Sequence, residues 1–454
     1  MSPPTSRRAV LHGGAAAAVA TLAAPARAAA RRRVLVVGAG MAGLATASWL
    51  HRRGHAVTVV EARERLGGRT HTSTGLGVPL DLGASWIHGS HGNPFTPIAR
   101  RHGFATVPTD YDSEVIVGAD GREIGRRREV RVYDDLDLLY RAIARAQRRR
   151  PRDEPLARFV DRFLAQQRWD AARAHDLRFA VNTEIEHEWG GSTSDLSLWW
   201  FDADGAFPGP DLLLRGGYVQ LVELFAAGLD VRLGEVVREV RHSSHGVRVR
   251  TEQTTYAADV AVVTVPLGVL KQGDVTFSPA LPARKQQAID RLGMGVLDKC
   301  FLRFPRVFWD RRFQLIGHIG ARTGRWPEWY DMERVVGAPV LLGFNAGDYG
   351  LALERRSDRE VVADALSVLR TIFGRSVPDP TGALVTRWGR DRYALGSYSH
   401  LPPGSSPADH DTLAEPVGRH LVFAGEATHR RFPATAHGAY LSGLRAARQV
   451  AGAA

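Results

Sequence analysis

Residues 34–43 read Val34-Leu-Val-Val-Gly-Ala-Gly-Met-Ala-Gly43, and they decide the fold. Val34–Val37 is a short, β-branched apolar run of the kind that forms a buried parallel strand. Gly38, Gly40 and Gly43 then form a G-x-G-x-x-G turn, and the Ala-rich stretch Leu44–Leu50 has helical character. A second apolar run, Val57–Val60, ends at Glu61, 23 residues after Gly38. Strand, glycine turn, helix, strand and acid together make the context of a dinucleotide-binding βαβ unit. The glycines allow a tight turn and let the backbone approach a pyrophosphate at the helix N-terminus. Glu61 is expected to accept hydrogen bonds from an adenosine ribose. Beyond it stand Gly67, Gly68 and Arg69, a second glycine pair that suits a larger, buried FAD better than an exchangeable nicotinamide. Arg69 is either charge near the phosphates or one more solvated arginine.

Lysine usage is the second signal. Of 60 basic residues only Lys271, Lys285 and Lys299 are lysine. Lys299 sits in the run Gly293-Met-Gly-Val-Leu-Asp-Lys-Cys-Phe-Leu-Arg-Phe304, where arginine cannot replace a compact ammonium that sheds its proton in a dry pocket.

Further blocks follow in order: Gly83-Ala-Ser-Trp-Ile-His-Gly89, Arg215-Gly-Gly-Tyr218, Asp259–Leu270, Trp388–Ser399, Ala424-Gly-Glu-Ala-Thr428 and His437–Gly443. With the motifs above, they make the chain resemble the flavin-dependent amine oxidases, the superfamily of monoamine oxidases, polyamine oxidases and lysine-specific histone demethylases. The resemblance implies an α/β fold: a discontinuous Rossmann-like FAD-binding domain (31–108, 213–300 and 386–454) with an inserted α+β substrate-binding domain (109–212 and 301–385). It implies that Lys299 holds a water against the flavin and assists its reaction with oxygen. It sets Tyr398 and Tyr440 as two aromatic walls before the flavin, whose π-faces suit an amine. It assigns Gly425 and Glu426 to the ribityl and phosphate region, and Trp388 to the cofactor's surroundings. The helix opened by Ala436 stabilises negative charge on the flavin, and the backbone of Val237 binds adenine.

Ser397 stands where monoamine oxidases carry a flavin-bonding cysteine, and the only cysteine is Cys300. FAD is therefore expected to be noncovalent, which points to the polyamine oxidase and L-amino acid oxidase branches. His88 resembles the histidine of polyamine oxidases that lies by the substrate nitrogen. Glu184, Glu186 and Glu188 form an acidic insert. Glu188 stands near the spacing of a carboxylate for a distal ammonium, although the alternation also fits one solvated strand edge.

Net charge of +12 would suit an anionic partner, but no nucleic-acid motif accompanies it, and arginine in place of lysine reflects a GC-rich genome. Neither nucleic acid nor metal is expected, and protein partners are not legible. Residues 1–30 resemble a twin-arginine export signal: Ser6-Arg-Arg-Ala-Val-Leu11, an apolar stretch, then Ala26-Arg-Ala28. No later run is long enough for a membrane span, so secretion or a periplasmic location is expected. The expected activity is oxidation of polyamines or related amines, giving an imine, then an aldehyde, and hydrogen peroxide. The alternatives are an L-amino acid oxidase, a desaturase-like flavoprotein and a noncatalytic flavin-binding protein.

Overall fold

The computed structural model describes residues 31–150 and 152–452; the export-signal expectation lies outside them. Strand β1 (Arg33–Val37), helix α1 (Met41–His51) and strand β2 (Ala56–Val60) form the βαβ unit read from the sequence. Both strands lie in a five-stranded parallel sheet, ordered Leu421–Phe423, Val260–Val263, β1, β2, Asp230–Arg232. Strands buried on both faces need unbroken apolar runs, which is why Val34–Val37 and Val260–Val263 are wholly buried.

The helix α1 is covered by the C-terminal helix Ala436–Ala451, and their crossing is close. A Cβ on Gly443 would stand 2.3 Å from the Ala42 carbonyl oxygen. Thr46 Oγ1 donates to the Gly443 carbonyl at 3.0 Å. Beside this layer a four-stranded sheet runs Thr255–Ala258, Gly246–Thr251, Val237–Ser243, Thr276–Ser278.

The second body is a six-stranded sheet, ordered Gly382–Val385, Leu297–Arg303, Val340–Ala346, Glu328–Asp331, Leu315–Ile319, Glu114–Gly118. Its pairs are antiparallel except the last, which joins Glu114–Gly118 to Leu315–Ile319 in parallel. The strand carrying Lys299 runs through the boundary expected after residue 300, so Lys299 lies in this sheet. Helices Arg126–Arg149, Leu156–Gln167 and Ala171–Val181 bury Leu136, Leu139, Ile143, Val160 and Leu177 in one cluster. Helix Asp358–Phe373 begins at Ser357, whose hydroxyl and the Glu360 carboxylate form a reciprocal capping box. Among the described residues, no helix is long and apolar enough to cross a membrane.

Candidate active site

One cavity of about 1260 Å³ runs from the parallel sheet to the six-stranded sheet. At the first end lie Gly38, Gly40, Glu61, Gly68, Arg69 and Val237; at the other lie Lys299, Trp86, His88, Tyr398 and a set of carboxylates.

The first end fits a dinucleotide. Gly38 has φ +107°, and a Cβ there would stand 2.5 Å from Thr264 Oγ1. Gly43 does not line the cavity; it packs the turn, since its Cβ would lie 1.9 Å from the Gly38 carbonyl oxygen. No side chain caps α1 at Gly40, which leaves its first-turn N–H groups for an anion. Glu61 is buried, and its oxygens accept the N–H groups of Ala39 (2.7 Å) and Arg63 (3.0 Å). Burial raises its carboxyl above the usual range against those bonds. The carboxylate is thereby fixed at the cavity wall with further acceptor capacity.

The middle is rigid. Arg69 donates to Glu426 Oε1 and to the Ser397 carbonyl, both at 2.9 Å. Glu426 Oε2 accepts Ser399 Oγ (2.6 Å) and the Ala434 N–H (3.0 Å). Burial opposes the charge of Glu426, and Arg69 outweighs it to hold the carboxyl below its usual range. Glu426 thus anchors the cavity floor through its neighbours. The Gly425 N–H is likewise taken by Ser442, although open space lies before its Cα at φ +135°. Ser397 bonds both ways with the Leu297 backbone.

At the far end Lys299 is buried and donates to the carbonyls of Asp81 (3.0 Å) and Gly83 (2.6 Å) and to Ser85 Oγ. Those three acceptors match the three protons of its ammonium. Burial lowers its pKa to about 8, against the pull of Asp81. The Trp86 ring centroid lies 5.5 Å from its nitrogen. Trp86 in turn packs against Tyr330 (5.7 Å) and Phe344 (5.9 Å), and all three rings line the cavity. Tyr398 lines it too, its hydroxyl donating to the His187 carbonyl. Trp388 is held by Nε1–H to the Leu82 carbonyl at 3.0 Å.

Tyr440 corrects the sequence expectation. It lies outside the cavity lining, packed between Phe95 (5.4 Å) and Phe225 (5.1 Å). The C-terminal helix turns Thr435, Ala436 and Ala439 to the cavity instead. Tyr440→Ala is therefore expected to cost about 3 kcal/mol of stability and to leave KM for the amine unchanged. Urea unfolding beside steady-state kinetics checks it.

His88 is enclosed by protein on most sides, yet about half of its side chain faces the cavity. Its Nδ1 stands 2.8 Å from Asp211 Oδ2, and Asp211 also accepts the Gly89 N–H (2.7 Å) and the Tyr111 hydroxyl (2.9 Å). Burial works against the charge of His88, but Asp211 outweighs it and raises the imidazole pKa.

The acidic insert is helical, a π-turn Asn182–Glu186 followed by His187–Trp189, and is not a strand edge. Glu184 and Glu188 line the cavity. Glu186 turns away to accept Asn182 Nδ2 and the Thr193 N–H, both at 2.7 Å. Glu114, Asp204 and Glu328 join the same wall. Burial raises all three, Glu114 to about 7, Asp204 to about 6, and Glu328 well above its ordinary value. Gly317 makes the room: a Cβ there would stand 3.0 Å from Glu114 Oε1. The sequence reading missed Asp211, Glu114, Glu328, Trp86, Tyr330 and Phe344 as site residues; of these only Trp86 lies in a motif.

The profile described as flavin containing amine oxidoreductase matches residues 41–451. The chain belongs to that family. Its members bind FAD, and the cavity's first end fits that cofactor. The relatives include lysine-specific histone demethylase 1 homolog 1 of Oryza sativa subsp. japonica, 37% identical over 93% of this chain and 52% of that protein. Protein FLOWERING LOCUS D of Arabidopsis thaliana is 36% identical over 92% of this chain and 55% of its own length. The chain thus spans about half the length of the curated relatives it matches. The chain's fold is shared with a putrescine oxidase redesigned in its cofactor binding (TM-score 0.74, 22% identity, 92% of this chain and 99% of that one).

Proposed function

We propose that this amine oxidoreductase oxidises polyamines or closely related polycationic amines, with oxygen as acceptor. One observation carries the reading. Several buried carboxylates elsewhere in the chain are met by arginine, as in Arg128–Asp176, Arg173–Asp135 and Arg291–Asp409. Along the cavity Glu114, Glu184, Glu188, Asp204 and Glu328 are met by no arginine among the described residues. The basic group nearest to Glu328 is His187, 4.0 Å away. Burial lowers the pKa of His187 to about 4, so it stays neutral. Like charges gathered along one cavity raise one another's energy, and a multiply charged cation relieves them. In a chain of net charge +12, this wall reverses the sign locally and favours a cationic substrate.

FAD, when bound, supplies the acceptor for a hydride from the amine's α-carbon and returns the electrons to oxygen, giving hydrogen peroxide. The chain's own groups set up that transfer. Trp86, Tyr330, Phe344 and Tyr398 enclose the alkyl chain and exclude water. His88 gives its Nδ1–H to Asp211, so the neutral ring presents the Nε2 lone pair to the cavity. That atom is placed to accept the proton which an ammonium must lose before it reacts. The acidic wall holds the remaining charges, and the imine formed hydrolyses to an aldehyde.

The test is charge removal without change of shape. Glu184→Gln and Glu328→Gln together are expected to raise KM for spermidine roughly tenfold and to spare phenylethylamine. Equal KM values for wild type and variant on spermidine overturn the reading. The names of the relatives favour a second one, a methylated lysine in a basic peptide, which would use the same wall. An L-amino acid needs an arginine for its carboxylate. Of the arginines lining the cavity, Arg63 is held by Asp391, Arg69 by Glu426 and Arg238 by Glu252, Arg126 stands beside Glu129, and Arg392 lies over the Tyr393 ring, so that reading has the less support.

A further inference from the structure

Behind Lys299 the same strand turns Asp298 into a second buried carboxyl site, used by none of the chemistry above. Asp298 and Glu354 are both buried. They receive two consecutive backbone N–H groups: Trp388 donates to Asp298 Oδ1 at 3.0 Å, and Gly389 donates to Glu354 Oε1 at 2.5 Å. The fit is tight, because a Cβ on Gly389 would stand 2.6 Å from Glu354 Oε2. Asp298 Oδ1 also accepts the Thr386 hydroxyl (2.8 Å), and Thr386 Oγ1 accepts the Lys299 N–H (2.8 Å). A hydrogen-bond chain thus ties the backbone of Lys299 to that of Trp388, both of which line the flavin cavity. Asp298 Oδ2 has no partner in this chain of bonds.

We propose that Asp298 and Glu354 hold one proton between them, and that this pair is the positioning device for the Lys299 strand and the Trp388 loop. Among the described residues no cation is placed to neutralise two buried charges. Arg390 reaches only the Glu354 carbonyl (3.2 Å), and Arg387 is occupied by Asp358 and the Arg356 carbonyl. Arg356 leans to Asp364 (3.9 Å), and the Lys299 ammonium points to the opposite face. Two carboxyls held out of water on consecutive backbone N–H groups retain a proton, and Asp298 Oδ2, which has no other partner, is the atom to carry it. Burial foremost, then the charge of Glu354, holds Asp298 well above the carboxylate range. A group whose native pKa is raised stabilises the fold below its ordinary value and loses that contribution as pH rises through the native one. Cavity integrity, and FAD retention with it, is therefore expected to fail on the alkaline side.

The experiment measures FAD release from the holoenzyme by flavin fluorescence between pH 6 and 10, a readout independent of any substrate. Wild type is expected to release FAD progressively towards pH 10. Asp298→Asn, whose amide donates to Glu354 without titrating, should lose that alkaline release and keep kcat within about threefold. Asp298→Ala should release FAD about tenfold more readily at pH 7. Superimposable release curves for wild type and Asp298→Asn overturn the proposal, as does an alanine variant that retains FAD like wild type. Should the alanine variant not fold, Glu354→Gln serves: behaviour like Asp298→Asn supports the shared proton, and behaviour like wild type contradicts it.

Discussion

Lys299→Met should leave the protein folded and loaded with FAD, and slow its reoxidation by oxygen about 100-fold. The reason lies in the charge of the ammonium. The Lys299 ammonium is fixed by Asp81, Gly83 and Ser85. A fixed cation in a dry cavity stabilises negative charge that builds as oxygen is reduced, and methionine keeps the shape without the charge. The same assignment fixes a pH signature. With a pKa near 8, Lys299 is charged below that value and loses its proton above it. kcat/KM for oxygen should therefore fall as pH rises through 8, while kcat/KM for the amine rises as more of it arrives neutral. Stopped-flow reduction and reoxidation separate the two. Unchanged reoxidation in the variant would remove Lys299 from this role.

Arg69→Ala is expected to destabilise the protein by about 3–5 kcal/mol and to abolish FAD retention. The guanidinium links the Ser397 carbonyl to Glu426, and its loss strands a buried carboxylate at the cavity floor. Most of the cost lies in that uncompensated charge, so Arg69→Ala combined with Glu426→Gln should recover part of the stability. The native pKa of Glu426 is depressed, and the stability it contributes is present above the ordinary carboxylate pKa and lost as pH falls through the native one. Acidification should accordingly release FAD from wild type. Thermal unfolding and the flavin-to-protein absorbance ratio check both statements; a double variant no more stable than Arg69→Ala would contradict the charge argument.

Local signals carried the cofactor end of the site. Gly38, Gly43 and Glu61 act within 23 residues of one another, and their constraints are written in spacing and backbone sterics. The substrate end was legible inside motifs, at Lys299, His88 and Tyr398, and in the acidic insert, at Glu184 and Glu188. Glu114 and Glu328 meet because Leu315–Ile319 pairs on one side with Glu114–Gly118 and on the other with Glu328–Asp331. No feature near either residue foretells that pairing. Tyr440 failed for a geometric reason. Thr435, Ala436 and Ala439 share the cavity side of one helix, and the next residue is turned about 100° away. An aromatic in the expected motif was read as a wall, one helical step out of register.

The most direct test of the account is peroxide release by the purified protein against spermine, spermidine, putrescine, phenylethylamine, a dimethyl-lysine peptide and several L-amino acids. The account predicts that kcat/KM is highest for the polyamines and falls when Glu184 and Glu328 are neutralised. Preferential oxidation of L-amino acids or of the singly charged phenylethylamine would contradict it.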